Sequence, residues 1–331
     1  MINLDSVKLH FSKDLILFEP TKYNKTTAEK NDIQLTSYKA KPQYLRTGIK
    51  EIYVNDNFCT IDISSKLLPE LYHNMININT IERYLSEVTT TGMLSYDIDE
   101  VINHSLVRTC DTTNNMKVSN VADYVNSLMV YNCNSKYNFK YWIDQSVSFD
   151  RKVKTNKYRE HLTVYNKLPE LLTAKNKDFR TGIDINSFKN VIRFESRFTT
   201  FELMRKSFEV SDHSLLSILN STAKVNYNIL SRITDIEDID VEKINNYNTL
   251  IEMKKQLKHS TIRNIQGDLS LLHSCNNDMN WIRQYFKTNS TANNSKYIKH
   301  YEELLKAKNE IDKKTGIDDK VNEMKEFLKV A

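Results

Sequence analysis

The sequence predicts an α+β protein: an antiparallel sheet with flanking helices over residues 1–209, followed by a helical domain over 210–331. Three observations carry that expectation. Stretches with apolar residues at every second position recur at 4–11, 49–54, 59–63, 104–112 and 190–198, the period of a half-buried strand. A turn-type cluster, Asn55-Asp56-Asn57, sits between two of them at hairpin distance. From about Glu202 the apolar period becomes helical and stays so.

Taken in order, residues 4–11 form a first strand, and the polar, Lys- and Asn-rich stretch 20–45 forms loops around short strands. Residues 49–54 and 59–63 pair as a hairpin. Ile78, Ile81, Tyr84, Leu85 and Val88 then fall at helical spacing, and Gly92 ends that helix. A short helix at 97–102 leads into a strand at 104–112 that ends in Asp111 and Thr112. Residues 118–130 form an amphipathic helix capped by Ser119. Tyr131, Tyr137, Phe139, Tyr141 and Trp142, interleaved with Lys136 and Lys140, either stack on unpaired bases or form a half-buried surface. A strand at 146–149 runs into a basic hairpin tip: Arg151, Lys152, Lys154, Lys157 and Arg159. A strand through Tyr165, a short helix after Glu170, a loop at Gly182 and the strand 190–198 complete the first part. Ser211 caps a helix to about Ile233, and further helices cover 240–257, 260–274, 281–286, 296–308 and 318–330, with 235–240 an acidic connector.

Composition narrows the function classes. The 331 residues carry a net charge of +5 and are 27% charged, which allows a nucleic-acid partner without demanding one. Mean hydropathy is −0.56, and no run approaches the ~18 apolar residues of a membrane span. The start, MINLDSVKLHF, lacks a basic segment followed by an apolar one, so no signal peptide is expected and a cytoplasmic location is. Four scattered cysteines without CxxC spacing argue against a zinc site or a disulfide framework. With five glycines and neither GxGxxG nor GxxxxGK[ST], Gly-rich phosphate loops are excluded, which argues against a nucleotide triphosphatase.

The candidate chemistry lies in 159–170, REHLTVYNKLPE. Strand alternation sets His161, Thr163, Tyr165 and Lys167 in a row, with Leu162 and Val164 beneath. A phenol has a pKa of about 10, and a neighbouring cation or metal helps it ionise and attack a phosphodiester. The plain alternative is a tyrosine on a polar strand face. In NVIRFESRF, Arg193, Glu195 and Arg197 share a face opposite Ile192, Phe194 and Phe198. Asp111 needs a cation or metal if it faces inward, or it is a cap before Thr112-Thr113-Asn114. The basic tip is either a phosphate-tracking loop or a solvated one.

The order of these segments resembles the gene II replication initiators of filamentous phages and related phage and plasmid replication proteins. ISSKLLPEL (63–71) is similar to that family's strand with a small Ser/Lys motif, and Val107 to Asp111 to its strand ending in Asp. LTVYNKLPEL (162–171) is similar to its Tyr-x-Lys-x-x-Glu-Leu segment, and VIRFESRF (191–198) to its Arg-Phe-Glu strand. The likeness covers roughly residues 1–220. It departs where the family writes Arg-x-Asp and this chain has Arg108-Thr109-Cys110-Asp111, and no two of the eight histidines lie two apart, so a His-hydrophobic-His metal motif is missing. The resemblance implies a nickase and strand transferase: a metal-dependent tyrosine DNA endonuclease that stays joined to the 5′ phosphate and starts rolling-circle replication. Tyr165 falls on the catalytic tyrosine. The expected roles are Lys167 on the phenolate or a phosphate oxygen, Arg193 and Arg197 with the basic tip on DNA, and Mg²⁺ or Mn²⁺ on Asp111 and Glu195, with Glu170 and His161 next in line. Origin DNA, single-stranded or in a hairpin, and a host helicase or polymerase are the expected partners, and a membrane is not. Two rival expectations are a non-catalytic DNA-binding protein that keeps the initiator fold and a phage structural or cargo protein.

Overall fold

The structure, a computed structural model, describes residues 1–30, 33–133, 136–142, 144–155, 159–234, 267–268, 270–272, 275, 277–289, 295–315 and 317–331. It is α+β. Its strands are β1 (Leu4–Ser12), β2 (Ile16–Phe18), β3 (Tyr23–Lys30), β4 (Ile33–Ala40), β5 (Ile49–Asn55), β6 (Phe58–Ser64), β7 (Leu94–Tyr96), β8 (Leu106–Lys117), β9 (Tyr137–Trp142), β10 (Ser146–Arg151), β11 (His161–Asn166) and β12 (Val191–Phe198). The helices are α1 (Ile81–Thr89), α2 (Ile98–His104), α3 (Val121–Ser127), α4 (Lys167–Leu171), α5 (Lys177–Arg180), α6 (Phe201–Phe208), α7 (Leu215–Leu219), α8 (Val225–Thr234), α9 (Met279–Asn289), α10 (Ser295–Thr315) and α11 (Ile317–Val330). The chain divides into two compact units, one of residues 1–118, 153–229 and 328–331 and one of 119–152 and 230–327. The expected boundary between 209 and 210 falls inside the first.

In the first unit eight strands pair antiparallel in the order β3-β4-β5-β6-β1-β8-β12-β11, while β2 and β7 pair separately. Register sorts the two faces. Val7 lies opposite Ile63 and Cys110, Leu9 opposite Ile61 and Val107, and Val164 opposite Phe194. These side chains are fully or almost fully buried, each worth roughly 1.5–3 kcal/mol of apolar transfer for the larger ones. Buried residues of α6, α7 and α8 (Leu203, Met204, Phe208, Leu215, Ile218, Ile229) add to the unit's core. The opposite face is polar: Ser6 opposite Asp111, Arg197 opposite Asp111, Glu195 opposite Thr113, and Arg193 opposite both Asn115 and Tyr165.

Several elements differ from expectation. The strand expected to stop at 112 runs on to Lys117. Its turn-like residues are held by a buried polar network instead: Asn226 of α8 donates to Asn114 Oδ1 at 2.8 Å and accepts from Ser196 Oγ at 2.6 Å. Residues 20–45 contain two eight-residue strands. Their side chains are mostly exposed, so the hairpin lacks the alternation that marks a half-buried strand. Asn120, not Ser119, caps α3, and the single helix expected from Ser211 is two, α7 capped by Ser214 and then α8. The helices expected at 240–257 and through most of 260–274, and the connector 235–240, lie outside the described residues.

The second unit contains α3, the β9–β10 hairpin, α9, α10 and most of α11. Tyr131 and Tyr137 are buried there, and the Tyr141 hydroxyl donates to Asn126 Oδ1 at 2.7 Å. The aromatic connector is thus largely a structural strand. No helix among the described residues is long and apolar enough to cross a membrane.

Candidate functional site

Three rows of side chains cross the polar face of the first sheet. Tyr165, Arg193 and Asn115 make one row, Thr163, Glu195 and Thr113 the next, and Arg197, Asp111 and Ser6 the third. The first row is the most enclosed. Arg193 is 0% exposed, beside the cluster of Tyr72, Leu171, Phe179 and Phe188. At the other end Arg197 is exposed, its side chain at 64%. Tyr165 and Glu195 lie between these extremes and are half-buried.

The Tyr165 hydroxyl donates to Glu195 Oε2 at 2.8 Å, a diagonal contact of the kind adjacent strands allow. Burial, then the negative charges of Asp5 and Asp111, push the Glu195 carboxyl above its ordinary range. Burial, then Glu195, push the Tyr165 phenol well up. A carboxylate that holds protons more tightly is a better base toward its phenol neighbour.

Arg193 is a buried scaffold and not a DNA contact, which corrects the expectation for it. Its Nε donates to Asn115 Oδ1 at 2.8 Å and its Nη1 to Asp5 Oδ1 at 2.8 Å and the Tyr72 hydroxyl at 3.3 Å. Asp5 also accepts from Ser65 Oγ at 2.8 Å. Burial would raise the Asp5 carboxyl, but Arg193 and Lys167 reverse that and hold it well below the carboxylate range.

Lys167 is also corrected. It does not continue the Tyr165 strand: Asn166 accepts from Leu168 N at 3.3 Å and caps α4. Pro169 falls in the first turn of that helix, where a missing N–H costs nothing. Lys167 is 1% exposed, with Nζ 2.7 Å from Glu170 Oε2 and 5.5 Å from the ring centres of both Tyr165 and Tyr72. Burial lowers its pKa to about 8. Glu170 is held by Lys167 and by Lys66 at 3.1 Å, and against the effect of burial Lys167 brings its pKa down to about 2. Its oxygens are committed to cations and to Asn176. Tyr-x-Lys-x-x-Glu is here an ion pair on one helical turn beneath the tyrosine.

Asp111 accepts from Ser6 Oγ at 2.7 Å and has Arg197 Nε at 3.6 Å. His161 has Nε2 2.8 Å from Thr163 Oγ1. Among the described residues no three His, Cys, Asp or Glu side chains gather as a metal cluster. Two carboxylates still suit Mg²⁺ or Mn²⁺, since such ions use one or two carboxylates together with substrate phosphate and water. The charge of Asp111 weighs against ionisation of Glu195, and a cation relieves that kind of repulsion. In the basic tip, Lys152, Lys154 and Arg159 are exposed and Arg151 is half-buried at the end of β10. Lys157 lies outside the described residues.

Sequence reasoning did not single out Asp5, Tyr72 and Asn115. Asp5 left one trace: apolar alternation slips between Leu4 and Val7, where the structure has a register shift between Leu4 and Ser6. No protein-family model, curated protein or solved structure matches the chain.

Proposed function

We propose that this chain is a replication initiator that nicks single-stranded or hairpin DNA through Tyr165, forms a 5′-phosphotyrosine link and so starts rolling-circle replication. The hydrogen bond from the Tyr165 hydroxyl to Glu195, at 2.8 Å on a half-buried polar face, carries this reading. The motif order supports it. The phenol proton passes to Glu195 as the Tyr165 oxygen bonds to phosphorus. The bond from phosphorus to the 3′ oxygen breaks, and solvent protonates the departing oxygen to leave the primer hydroxyl. Lys167 acts through the ring as a positioning residue, because a nearby cation favours the phenolate. Asp111 and Glu195 would hold Mg²⁺ or Mn²⁺, which when bound offsets charge on the phosphate. Arg197 and the cations of the basic tip meet the DNA backbone, and the host cytoplasm is where such DNA is available.

The full chain, incubated with a pool of single-stranded hairpin oligonucleotides and Mn²⁺, is expected to give a protein–DNA adduct that survives denaturing electrophoresis. Tyr165→Phe should abolish it, while Tyr141→Phe should retain it. Salt-sensitive binding without any adduct would instead assign the chain to the non-catalytic DNA-binding class. Cleavage by Tyr165→Phe with no covalent intermediate would overturn the tyrosine mechanism.

A further inference from the structure

In the second unit, α9 and α10 carry aromatic rings at the margin of that unit's core, against which Phe286 packs. Leu272, Ile282, Tyr301 and Leu304 form that core. Trp281 and Tyr285, one helical turn apart on α9, stack at 5.2 Å with planes 13° apart, and Phe286 stacks on Tyr297 of α10 at 5.8 Å and 16°. Trp281 is 42%, Tyr285 39% and Tyr297 50% exposed. Exposed aromatic side chains gathered in this number mark a binding surface more than a folding need.

Charge indicates the occupant. Residues 279–301 contain four Lys or Arg and no Asp or Glu. Lys287, Lys296 and Lys299 are exposed, and Arg283 is paired with Glu302 just beyond the stretch, at 2.6 Å. An apolar protein partner needs no such bias. A strand with unpaired bases and a phosphate backbone does, because aromatic rings stack on bases while lysines neutralise phosphates. Paired bases in a duplex do not offer their faces.

We propose that the α9–α10 face is a stacking platform for single-stranded DNA, built from residues other than those of the Tyr165 site. The choice of DNA over RNA rests on the proposed function, but the stacking does not. The chain has two tryptophans, Trp142 and Trp281, so a Trp142→Phe, Tyr165→Phe protein reports on Trp281 alone and carries no nicking tyrosine. Titration with a twelve-residue oligothymidylate is expected to quench Trp281 fluorescence. An abasic oligonucleotide of equal length and charge should bind at least tenfold more weakly. By anisotropy of a labelled oligothymidylate, Trp281→Leu and Tyr285→Leu should each weaken binding about tenfold, and Tyr285→Phe should restore it. Circular dichroism of each variant should match the parent. Equal binding of the abasic strand, unchanged affinity in the leucine variants, or preference for oligouridylate would overturn the proposal. So would self-association that Tyr285→Leu abolishes in a protein that binds no oligonucleotide. Nicking is absent from this experiment by design, so its failure is distinct from failure of the tyrosine mechanism.

Discussion

At the residue scale, the site sets two groups whose proton affinities move in opposite directions. Glu195 is raised by burial and by Asp5 and Asp111, while Lys167 is lowered to about 8, first by burial and then by Arg193. The proposed nicking would need Glu195 ionised to take the phenol proton and Lys167 charged over the ring. The rate should therefore fall as Lys167 neutralises near pH 8. Arginine keeps its charge at all working pH, so Lys167→Arg should extend the alkaline limb beyond pH 9 even if its plateau is lower. Single-turnover rates from pH 5 to 10 check this, and an unchanged alkaline limb would remove Lys167 from the mechanism. Glu170 makes a stability statement. Its folded pKa, about 2, lies below the ordinary 4.5, so its contribution is full above about pH 4.5 and disappears as pH falls toward 2. With its side chain 23% exposed, Glu170→Gln should cost about 2–3 kcal/mol at pH 7 and almost nothing near pH 2. Urea titrations at both pH values measure the difference.

At the scale of elements, what could be read in the sequence was what local physics decides. The β5–β6 hairpin follows from Asn55, whose Oδ1 accepts from Asn57 N and Phe58 N at 2.9 and 2.8 Å. The faces of β12 follow from alternation, and the end of α1 from Gly92 at φ +62. Tyr165 beside Glu195 was also legible, as two polar strand faces, though the bond joining them needed the register of β11 on β12. What was hidden depends on partners distant in sequence. Thr112 to Asn115 look like a turn until Asn226 and Arg193 bond to them. Lys167 looks like strand until Asn166 and Pro169 are weighed as a helix start, and Arg193 looks exposed until the Tyr72 and Phe188 cluster is in place. The turn holding Ser65 and Lys66 depends on Gly48 in the same way. Gly48 has φ +94, its carbonyl accepts from Ser64 N at 2.7 Å, and an added Cβ would lie 2.2 Å from the backbone N of Leu67. Neither strain nor clash can relax through a side chain, so Gly48→Ala should lose more than about 2 kcal/mol. It should also weaken nicking by displacing Lys66 from Glu170. A melting temperature equal to the parent's would show that this contact yields freely.

At the scale of the whole molecule, neither unit is a continuous stretch of chain. The first takes in residues 328–331 from the far end, and the second takes 119–152 from between the strands of the first. Sequence alone places every motif of the proposed nicking chemistry before residue 236 and invites the view that the chain could end there with that chemistry intact. The structure argues against it. Such a fragment keeps α3 but loses Lys320, whose Nζ donates to the Tyr124 hydroxyl at 3.1 Å and sits 4.4 Å from its ring centre. It also loses Leu328, which is 2% exposed in the intact chain. Val125 and Leu128 are both fully buried in the intact chain, and the fragment retains only 119–152 and 230–236 of their unit to cover them. The fragment is therefore expected to bind a hydrophobic dye, to lose near-ultraviolet circular dichroism from its tyrosines and to unfold over a broad range of temperature. Restoring 237–331 as a separate chain should recover a sharp transition if the break itself is harmless. A fragment that melts as sharply as the full protein and forms the Tyr165 adduct at the parent's rate would show the opposite: the first sheet would then be a self-sufficient nicking domain, and the far helices would serve recognition alone.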